Sequence, residues 1–461
     1  MPTVDVVVIG AGLAGMTAAL ALAEAGASVE VVARGHAATH WASGGLDVAA
    51  PPGAASPADG IAQLRAVPGH PYALLADEVA VATERLRGWL ATEDLTFEGD
   101  LSSPIRPVPT SIGGVRPAAI LPSAQAAALG AWSPGERLVI LGFRGFKDFW
   151  PDQIAASLTR SAVWERGGGV GAGPGLRPDR VESLAIELPG LAGRRNVTAL
   201  TIAGLFDDPV ARREAIDAIA AALERTGNRP GRVGLPATIG NRDHAATFAQ
   251  LATAIELTPF EIPLVPPSLP GLRLFEALRS ALRAKGGRIT VGEPVGAVTR
   301  DGRRVTAVST RAAARMRTVR TAGVVLATGG IAGGGLVGHA DGRLVEAVLG
   351  LPVEAPAIDD WLAPTPFPPD GHPLERAGIR TDAALRPVDP SGKVVLDNVA
   401  IAGSTLAGMR YLQERCGDGV AIASGIRAAE TVGRSLGGAP ADGPSRKRDR
   451  RAAAAGASAS R

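Results

Sequence analysis

A glycine-rich turn between an apolar strand and a helix constrains the fold of this chain more than any other feature. The turn is Gly10-Ala11-Gly12-Leu13-Ala14-Gly15, and the apolar run Val4–Ile9, interrupted only by an aspartate, precedes it. The Ala/Leu-rich segment Met16–Ala25 predicts a helix, and Val29–Val32 predicts a second strand. Strand, turn, helix and strand within about thirty residues indicate a βαβ unit, and near-continuous β-branched runs are typical of parallel strands buried on both faces.

The glycines of this turn predict a binding site for a dinucleotide or flavin. Gly10 permits the tight turn, Gly12 lets a pyrophosphate approach the backbone, and Gly15 lets the helix pack closely on the strand. Free N–H groups at the helix N-terminus, where Leu13 and Ala14 lie, favour a phosphate. The alternative is a structural βαβ turn without a ligand.

The end of the second strand departs from the usual pattern. Dinucleotide sites commonly place Asp or Glu there to bind the adenosine ribose, but this chain has Ala33 followed by Arg34, and Glu30 lies earlier in the strand. An adenosine ribose would therefore lack its usual acceptor. We include Arg34 among the candidate cofactor contacts.

Several other glycine-containing segments predict cofactor contacts. Ser43-Gly44-Gly45 lets backbone amides approach a flat ring, although it is also compatible with a surface turn. Gly329-Gly330 and Gly403-Ser404 end two further apolar strands, and Gly417-Asp418-Gly419 opens a helix. Ligands of open α/β sheets bind outside the carboxyl ends of the strands, so we expect these segments to converge.

The order of the predicted elements indicates an α/β protein with a Rossmann-type parallel-sheet domain and an inserted second α/β domain. We assign residues 1–50 and 270–437 to the first domain and residues 51–269 to the inserted substrate or cap domain. A Pro-, Gly- and Ala-rich stretch over 51–70 predicts a loop. Residues 438–461 are predicted to form a disordered basic tail.

Charge and composition exclude several other classes of protein. The formal net charge is +3, but six arginines and lysines lie in the predicted tail, and aromatic residues make up only 4%, so nothing favours nucleic-acid binding. The longest uncharged stretch, residues 321–338, is rich in glycine and argues against a direct membrane span. Cys416 is the only cysteine, which excludes an intramolecular disulfide and an iron–sulfur cluster that needs about four ligands.

Candidate catalytic residues are few. The histidines show no metal-ligand spacing, and we predict no metal site. His70, in a Gly-His-Pro-Tyr segment, is compatible with a substrate-side group or with a loop hydrogen bond. Arg273 is compatible with an anion-binding residue or with an exposed helix charge, and Cys416 is better explained as a small apolar filler than as a redox thiol.

The chain resembles the B subunit of anaerobic glycerol-3-phosphate dehydrogenase over nearly its whole length. The resemblance rests on motifs that occur in family order, of which the Ser-Gly-x-Leu-Asp, His-Pro-Tyr and Pro-Pro-Ser blocks are the most specific. The similar segments are 10–15, 40–47, 70–75, 186–189, 266–274, 327–337, 398–404 and 416–420.

The resemblance implies a flavoprotein that oxidises sn-glycerol 3-phosphate to dihydroxyacetone phosphate and passes electrons towards membrane quinone. It implies two partners, a second flavoprotein subunit and a membrane-associated iron–sulfur subunit, and a cytoplasmic location at the inner face of the membrane. FMN is the cofactor it implies, with FAD as the close alternative, and Ala33 agrees with FMN because FMN has no adenosine ribose. Two alternatives remain: a self-sufficient FAD-dependent dehydrogenase of the fumarate reductase type, and a non-catalytic assembly or electron-relay protein.

Overall fold

The computed structural model describes residues 1–167, 175–227, 231–312 and 315–436. The strands are β1 (Thr3–Ile9), β2 (Val29–Ala33), β3 (Phe97–Glu98), β4 (Arg106–Pro109), β5 (Val115–Ala118), β6 (Leu121–Pro122), β7 (Arg137–Phe143), β8 (Arg180–Ile186), β9 (Gly231–Pro236), β10 (Thr258–Ile262), β11 (Arg288–Val291), β12 (Val295–Asp301), β13 (Arg304–Ala312), β14 (Arg315–Leu326), β15 (Leu336–Gly338), β16 (Leu344–Glu346) and β17 (Val399–Ile401). The α-helices are α1 (Leu13–Glu24), α2 (Pro57–Arg65), α3 (Tyr72–Leu75), α4 (Val79–Ala91), α5 (Pro151–Leu158), α6 (Ser161–Gly167), α7 (Ala199–Asp207), α8 (Pro209–Glu224), α9 (His244–Ala254), α10 (Leu269–Ala284), α11 (Tyr411–Glu414) and α12 (Gly417–Leu436).

The main sheet has the strand order β11-β2-β1-β14-β13-β12, with β17 paired to the far end of β14. Strands β11, β2, β1, β14 and β17 are parallel, and they form the Rossmann-type part of the sheet. The first half of β14 pairs with β13 in antiparallel fashion, and its second half pairs with β17. The three-stranded excursion β12–β14 therefore rejoins the sheet through one long strand.

A second sheet, in the order β10-β9-β7-β8, lies in the inserted segment, and all its strand pairs are parallel. Helices connect its strands, because parallel neighbours need crossover connections. The predicted fold class, a parallel-sheet domain with an inserted second α/β domain, is confirmed.

The buried apolar side chains form two clusters. The first includes side chains of α2, α3 and α4, continues to Ile105 and takes up Ala119 and Ile120 as well. The second cluster begins at Val108 and ends at Leu269. The first core thus also draws side chains from the predicted inserted segment 51–269, because the helices after residue 56 bury their apolar faces against it. The domain bounds stay a prediction. The expectation of a basic tail over 438–461 lies outside the described residues.

Within the stretch 51–70 the structure has the helix α2 where the sequence predicts a loop. Ser56 is its N-cap, and its hydroxyl accepts a hydrogen bond from the Asp59 N–H. Pro57 at the first helical position has the backbone angle that a helix needs and lacks an N–H that would be unpaired there. Serine and proline are typical of loops and also of the first positions of helices, so the composition of this stretch does not distinguish the two.

The crossing of α1 and α12 brings the start of α1 against the middle of α12. Gly425 of α12 packs so closely on α1 that a Cβ there would lie 2.7 Å from the carbonyl oxygen of Ala14. This contact requires glycine. It holds α12 close to the glycine-rich turn that begins α1.

Candidate functional site

The glycine-rich turn has the geometry that a phosphate-binding turn needs. Gly10 has a φ of 114°, and a Cβ there would lie 2.1 Å from the Ala327 carbonyl oxygen. A Cβ on Gly15 would lie 2.0 Å from the Gly10 carbonyl oxygen, whereas one on Gly12 would contact only the Ala37 Cβ, at 3.5 Å. Gly10 and Gly15 are therefore required by packing, and Gly12 is the position at which the chain keeps space open.

The N-terminus of α1 carries no group of its own to satisfy its free amides. Gly12 is the N-cap and makes no side-chain capping bond, and the first turn contains no acidic residue. Leu13 and Ala14, the first helical residues, are buried and apolar. Unpaired N–H groups and the positive end of the helix dipole favour an anion at this point, so the turn fits the pyrophosphate of a dinucleotide cofactor.

Two predicted strand ends converge beside this turn. The Gly330 N–H donates to the Ser404 hydroxyl at 3.0 Å, and a Cβ on Gly330 would lie 2.7 Å from the Ser404 carbonyl oxygen. Gly329 has a φ of 79°. A Cβ on Gly403 would lie 2.8 Å from the Ala14 Cβ. The ends of β14 and β17 thus meet beside the start of α1, as expected from the topology.

The usual ribose acceptor is missing in the structure as well as in the sequence. Ala33 ends β2, and the only acidic residue of that strand, Glu30, is 1% exposed and bonds to Arg317 and Arg288. Glu30 is therefore occupied as a link between strands. Arg34 is exposed, and its guanidinium lies beside Gly334, so it borders the Gly329–Gly335 loop.

The Ser43–Gly45 loop is held between the two cores. The Gln125 amide donates to the Ser43 carbonyl at 2.9 Å. Gly44 has a φ of 88°, and a Cβ there would lie 2.7 Å from the Pro270 Cβ. A Cβ on Gly45 would lie 2.7 Å from Leu121 and 2.8 Å from the Arg116 guanidinium. Glycine is required at both positions, and the backbone of the loop is fixed rather than free.

A cluster of charged residues follows this loop, and no sequence motif predicts most of it. The Asp47 N–H donates to the Asp418 carboxylate at 2.8 Å, and the Asp418 N–H donates back to the Asp47 carbonyl at 3.1 Å. Arg116 donates to the Asp47 carboxylate at 3.0 Å. Burial raises the pKa of Asp418 to about 7, with a further contribution from the charge of Asp47. No local signal marks Arg116, because it comes from a short strand of the insert.

The two glycines at the start of α12 differ in their surroundings. A Cβ on Gly419 would lie 2.1 Å from the Tyr72 hydroxyl and 2.7 Å from the Val48 carbonyl oxygen. Gly419 is thus explained by packing against Tyr72 of α3 and the backbone at Val48. Gly417 is more open, since its nearest neighbour would be the Tyr411 Cβ at 3.7 Å.

His70 lies in a buried polar cluster rather than on a surface loop. Its Nδ1 accepts from the Tyr72 N–H at 3.0 Å, so the neutral ring carries its proton on Nε2. That nitrogen lies 3.3 Å from the Glu414 carboxylate and 3.7 Å from the Cys416 sulfur. Burial opposes ionisation of Glu414, but bonds from His70 and the Arg410 N–H outweigh it and lower the Glu414 pKa.

The same cluster has the residue types of a metal site, but the protonation of His70 and Cys416 does not suit a metal. The potential ligand atoms of His70, Glu414 and Cys416 lie within 4.8 Å of one another. To bind a metal, His70 Nε2 would need a free lone pair. The Tyr72 N–H donates to Nδ1, so in the neutral ring the proton is on Nε2 and that lone pair is not free. Burial, with Glu414 nearby, raises the pKa of the Cys416 thiol, so the thiolate is disfavoured. These contacts favour the interpretation of Cys416 as a buried filler.

Arg273 does not have the surroundings of an anion-binding residue. Its guanidinium makes a bidentate pair with the Glu261 carboxylate at 2.6 and 3.1 Å, and it also donates to the Gly240 carbonyl and faces His244. Glu261 is 1% exposed. The Arg273 guanidinium is thus directed to protein groups, and these contacts favour a structural role over the predicted contact with an anionic substrate.

Comparison with known proteins identifies the family. A family model described as "FAD binding domain" matches residues 5–420. A probable B subunit of anaerobic glycerol-3-phosphate dehydrogenase from Halobacterium salinarum is 32% identical and aligns with 94% of this chain and 98% of its own length. The B subunit of anaerobic glycerol-3-phosphate dehydrogenase from Yersinia enterocolitica is 31% identical, over 93% and 97%. The chain belongs to the family of anaerobic glycerol-3-phosphate dehydrogenase B subunits.

Membership of this family confirms the resemblance and a flavin-binding fold. The matching model names FAD, so the prediction that FMN is the preferred cofactor is not supported. A solved 3-ketosteroid delta1-dehydrogenase from Sterolibacterium denitrificans covers 94% of this chain and 100% of its own, at 13% identity and a TM-score of 0.43. That likeness carries no conclusion about function.

None of the helices in the described part of this B-subunit family member is long and apolar enough to cross a membrane. The longest, α12, has charged residues distributed along it and packs against α1.

Proposed function

We propose that this protein is a flavin-dependent oxidoreductase subunit that takes part in oxidising sn-glycerol 3-phosphate to dihydroxyacetone phosphate, with electrons passed to membrane quinone. The observation that carries the proposal is the glycine-rich turn at the start of α1, in a chain of the B-subunit family. Gly12 leaves space where a phosphate would approach, and the ends of β14 and β17 lie beside the turn.

The cofactor we propose is FAD. The turn 10–15 would hold its pyrophosphate, because Gly12 leaves space for it and the uncapped start of α1 offers free N–H groups, and the matching family model names FAD. The Ser43–Gly45 loop and the Gly329-Gly330 and Gly403-Ser404 ends would border the rest of the molecule. When bound, a flavin can accept a hydride or single electrons. The protein contributes the fixed backbone and the charged groups around it.

We further propose that electrons leave through other chains. The only cysteine of the sequence, Cys416, is buried and contacts His70 and Glu414, so it cannot help to build a cluster with the usual number of ligands. The relatives are named as B subunits, which implies companion subunits. A second flavoprotein subunit and a membrane-associated iron–sulfur subunit would complete the path to quinone and keep this chain at the inner face of the membrane.

The first test is identification of the cofactor. The purified protein should be yellow, and acid release followed by mass measurement should give FAD. A colourless protein that takes up neither FAD nor FMN would refute the flavin site. Release of FMN would refute only the assignment of FAD.

The second test measures quinone reduction. The isolated protein should show little turnover with glycerol 3-phosphate, and activity should appear when the second flavoprotein and the iron–sulfur subunit are added. Full turnover by the isolated protein would contradict the partner requirement. Turnover with succinate instead would favour the fumarate-reductase-like alternative, and flavin without any contribution to activity would favour an assembly role.

A further inference from the structure

Arg116 presents an unpaired donor beside the Ser43–Gly45 loop. It lies on β5, with its Nη1 bonded to Asp47 at 3.0 Å and its side chain 14% exposed. Its Nη2 is buried and has no hydrogen-bond partner, and it would lie 2.8 Å from a Cβ on Gly45. A buried guanidinium N–H without a partner is costly, and such groups are usually satisfied by a ligand or water.

Two further arginines lie close to this donor. Arg106 of β4 shares a face of the β4–β5 hairpin with Arg116, because Arg106 pairs with Ala118 and Val108 pairs with Arg116. The Arg106 Nε is likewise buried without a partner. Arg415 directly follows α11 and shortly precedes Asp418, whose carboxylate accepts from the Asp47 N–H, and the charges of Asp47 and Arg116 act on it.

Arg415 is partly buried at the end of α11. It is the C-cap of that helix, with a φ of 45° in the left-handed region in which helices commonly end. Burial and the charge of Arg116 lower the Arg415 pKa, while Asp47 opposes this effect. Arg116 donates to the Asp47 carboxylate. Burial raises the pKa of the neighbouring Asp418 to about 7, so this second carboxyl group is in part protonated near neutral pH.

We propose that Arg116 and Arg415, supported by Arg106, bind the phosphate group of a phosphorylated polyol substrate next to the Ser43–Gly45 loop. This inference rests on the proposed function. It assigns the binding of the anionic substrate to the Arg116 cluster, whereas the sequence suggests Arg273 for that role. The excess positive charge suits a dianion, and guanidinium groups match phosphate oxygens in paired hydrogen bonds. The loop that carries Gly44 and Gly45 would separate the phosphate site from the cofactor turn at Gly10–Gly15.

The test is calorimetric titration of the full-length purified protein with glycerol 3-phosphate, inorganic phosphate and glycerol. Glycerol 3-phosphate should bind, inorganic phosphate should compete with it, and glycerol should show no measurable binding. Arg116→Ala and Arg415→Ala should each weaken binding about 10- to 100-fold, the range expected for lost charged hydrogen bonds. Arg116→Lys should lie between wild type and Arg116→Ala.

Arg303→Ala is the matched control, because Arg303 pairs with Asp397 at 2.5 Å and is 46% exposed, away from the cluster. It should bind glycerol 3-phosphate as the wild type does. Melting curves and flavin absorbance of every variant distinguish a loss of binding from a loss of folding. If Arg116→Ala fails to fold, the affinity of Arg415→Ala for glycerol 3-phosphate tests the proposal instead.

The outcomes separate this inference from the proposed function. A protein without flavin that still binds phosphate through Arg116 would support the anion site while refuting the flavoprotein assignment. Flavin-containing variants with unchanged affinity for glycerol 3-phosphate would overturn the anion site alone. A shifted flavin potential in Arg116→Ala with unchanged affinity, or tighter binding of succinate than of glycerol 3-phosphate, would also overturn it.

Discussion

Replacing Arg273 by methionine should destabilise the insert rather than remove a substrate contact. The substitution keeps most of the aliphatic volume but leaves the Glu261 carboxylate, which is 1% exposed, without its bidentate partner. Glu261 would keep only the bond from the Ile239 N–H, at 3.0 Å, and proximity to His244. Burial already opposes ionisation of Glu261, and Arg273 is the main reason that its pKa is nevertheless lowered.

Removing one partner of a buried pair costs about 3–5 kcal/mol, because the remaining charge is left uncompensated. We expect Arg273→Met to lower the free energy of unfolding by about this amount. The double variant Arg273→Met/Glu261→Gln should recover much of the loss, because glutamine carries no charge and still accepts from the Ile239 N–H. The recovery is the diagnostic result, since loss of packing alone would not be repaired by Glu261→Gln.

Urea unfolding followed by circular dichroism measures these differences, and titration with glycerol 3-phosphate at low temperature measures binding. The structural interpretation of Arg273 predicts a lower unfolding midpoint with nearly unchanged affinity in the folded variant. An unchanged midpoint together with a large loss of affinity would refute it. That result would restore Arg273 as the anion-binding residue.

Four other substitutions test the contacts of the turn and of the buried polar groups. Gly12→Ala should fold normally but lose cofactor, read by flavin absorbance, whereas Gly15→Ala should lose stability by about 1–3 kcal/mol because its Cβ would lie 2.0 Å from a carbonyl oxygen. His70→Ala should cost about 1–3 kcal/mol in urea unfolding and raise the pKa of Glu414, whose bond from His70 is lost. The raised pKa of Asp418 implies that stability falls as the pH rises from about 4 to about 7, and Asp418→Asn should flatten this slope in unfolding measurements at several pH values.

The cofactor turn could be predicted from the sequence because its determinants are local. Gly10, Gly12 and Gly15 follow a buried strand directly, and each lies at a position where backbone geometry limits the choice of side chain. The strand ends at Gly329 and Gly403 follow from the same logic, since carboxyl ends of parallel strands meet at one edge of the sheet. In the structure they meet beside Ala14.

The charged residues could not be predicted in this way, because their roles depend on distant partners. Arg273 lies among the apolar residues of α10, and nothing there reveals that Glu261 meets it in the fold. Arg116 lies in a four-residue strand and meets Asp47 across 69 positions of sequence. A charge on a short strand of an insert has no periodic pattern to interpret, so only the tertiary structure assigns it.

Both cores contribute residues to the proposed site. The turn that would hold the cofactor phosphates belongs wholly to the first core, as do Asp47 and Asp418. The insert contributes Arg116, which bonds to Asp47, and Gln125, which bonds to the Ser43 carbonyl, and both contacts meet the loop between the cores. Because that loop would face the cofactor on one side and the insert on the other, a change in the insert can alter which anion is bound while the cofactor turn stays intact. Substitutions of Arg116 should therefore change affinity for the anion without changing flavin content.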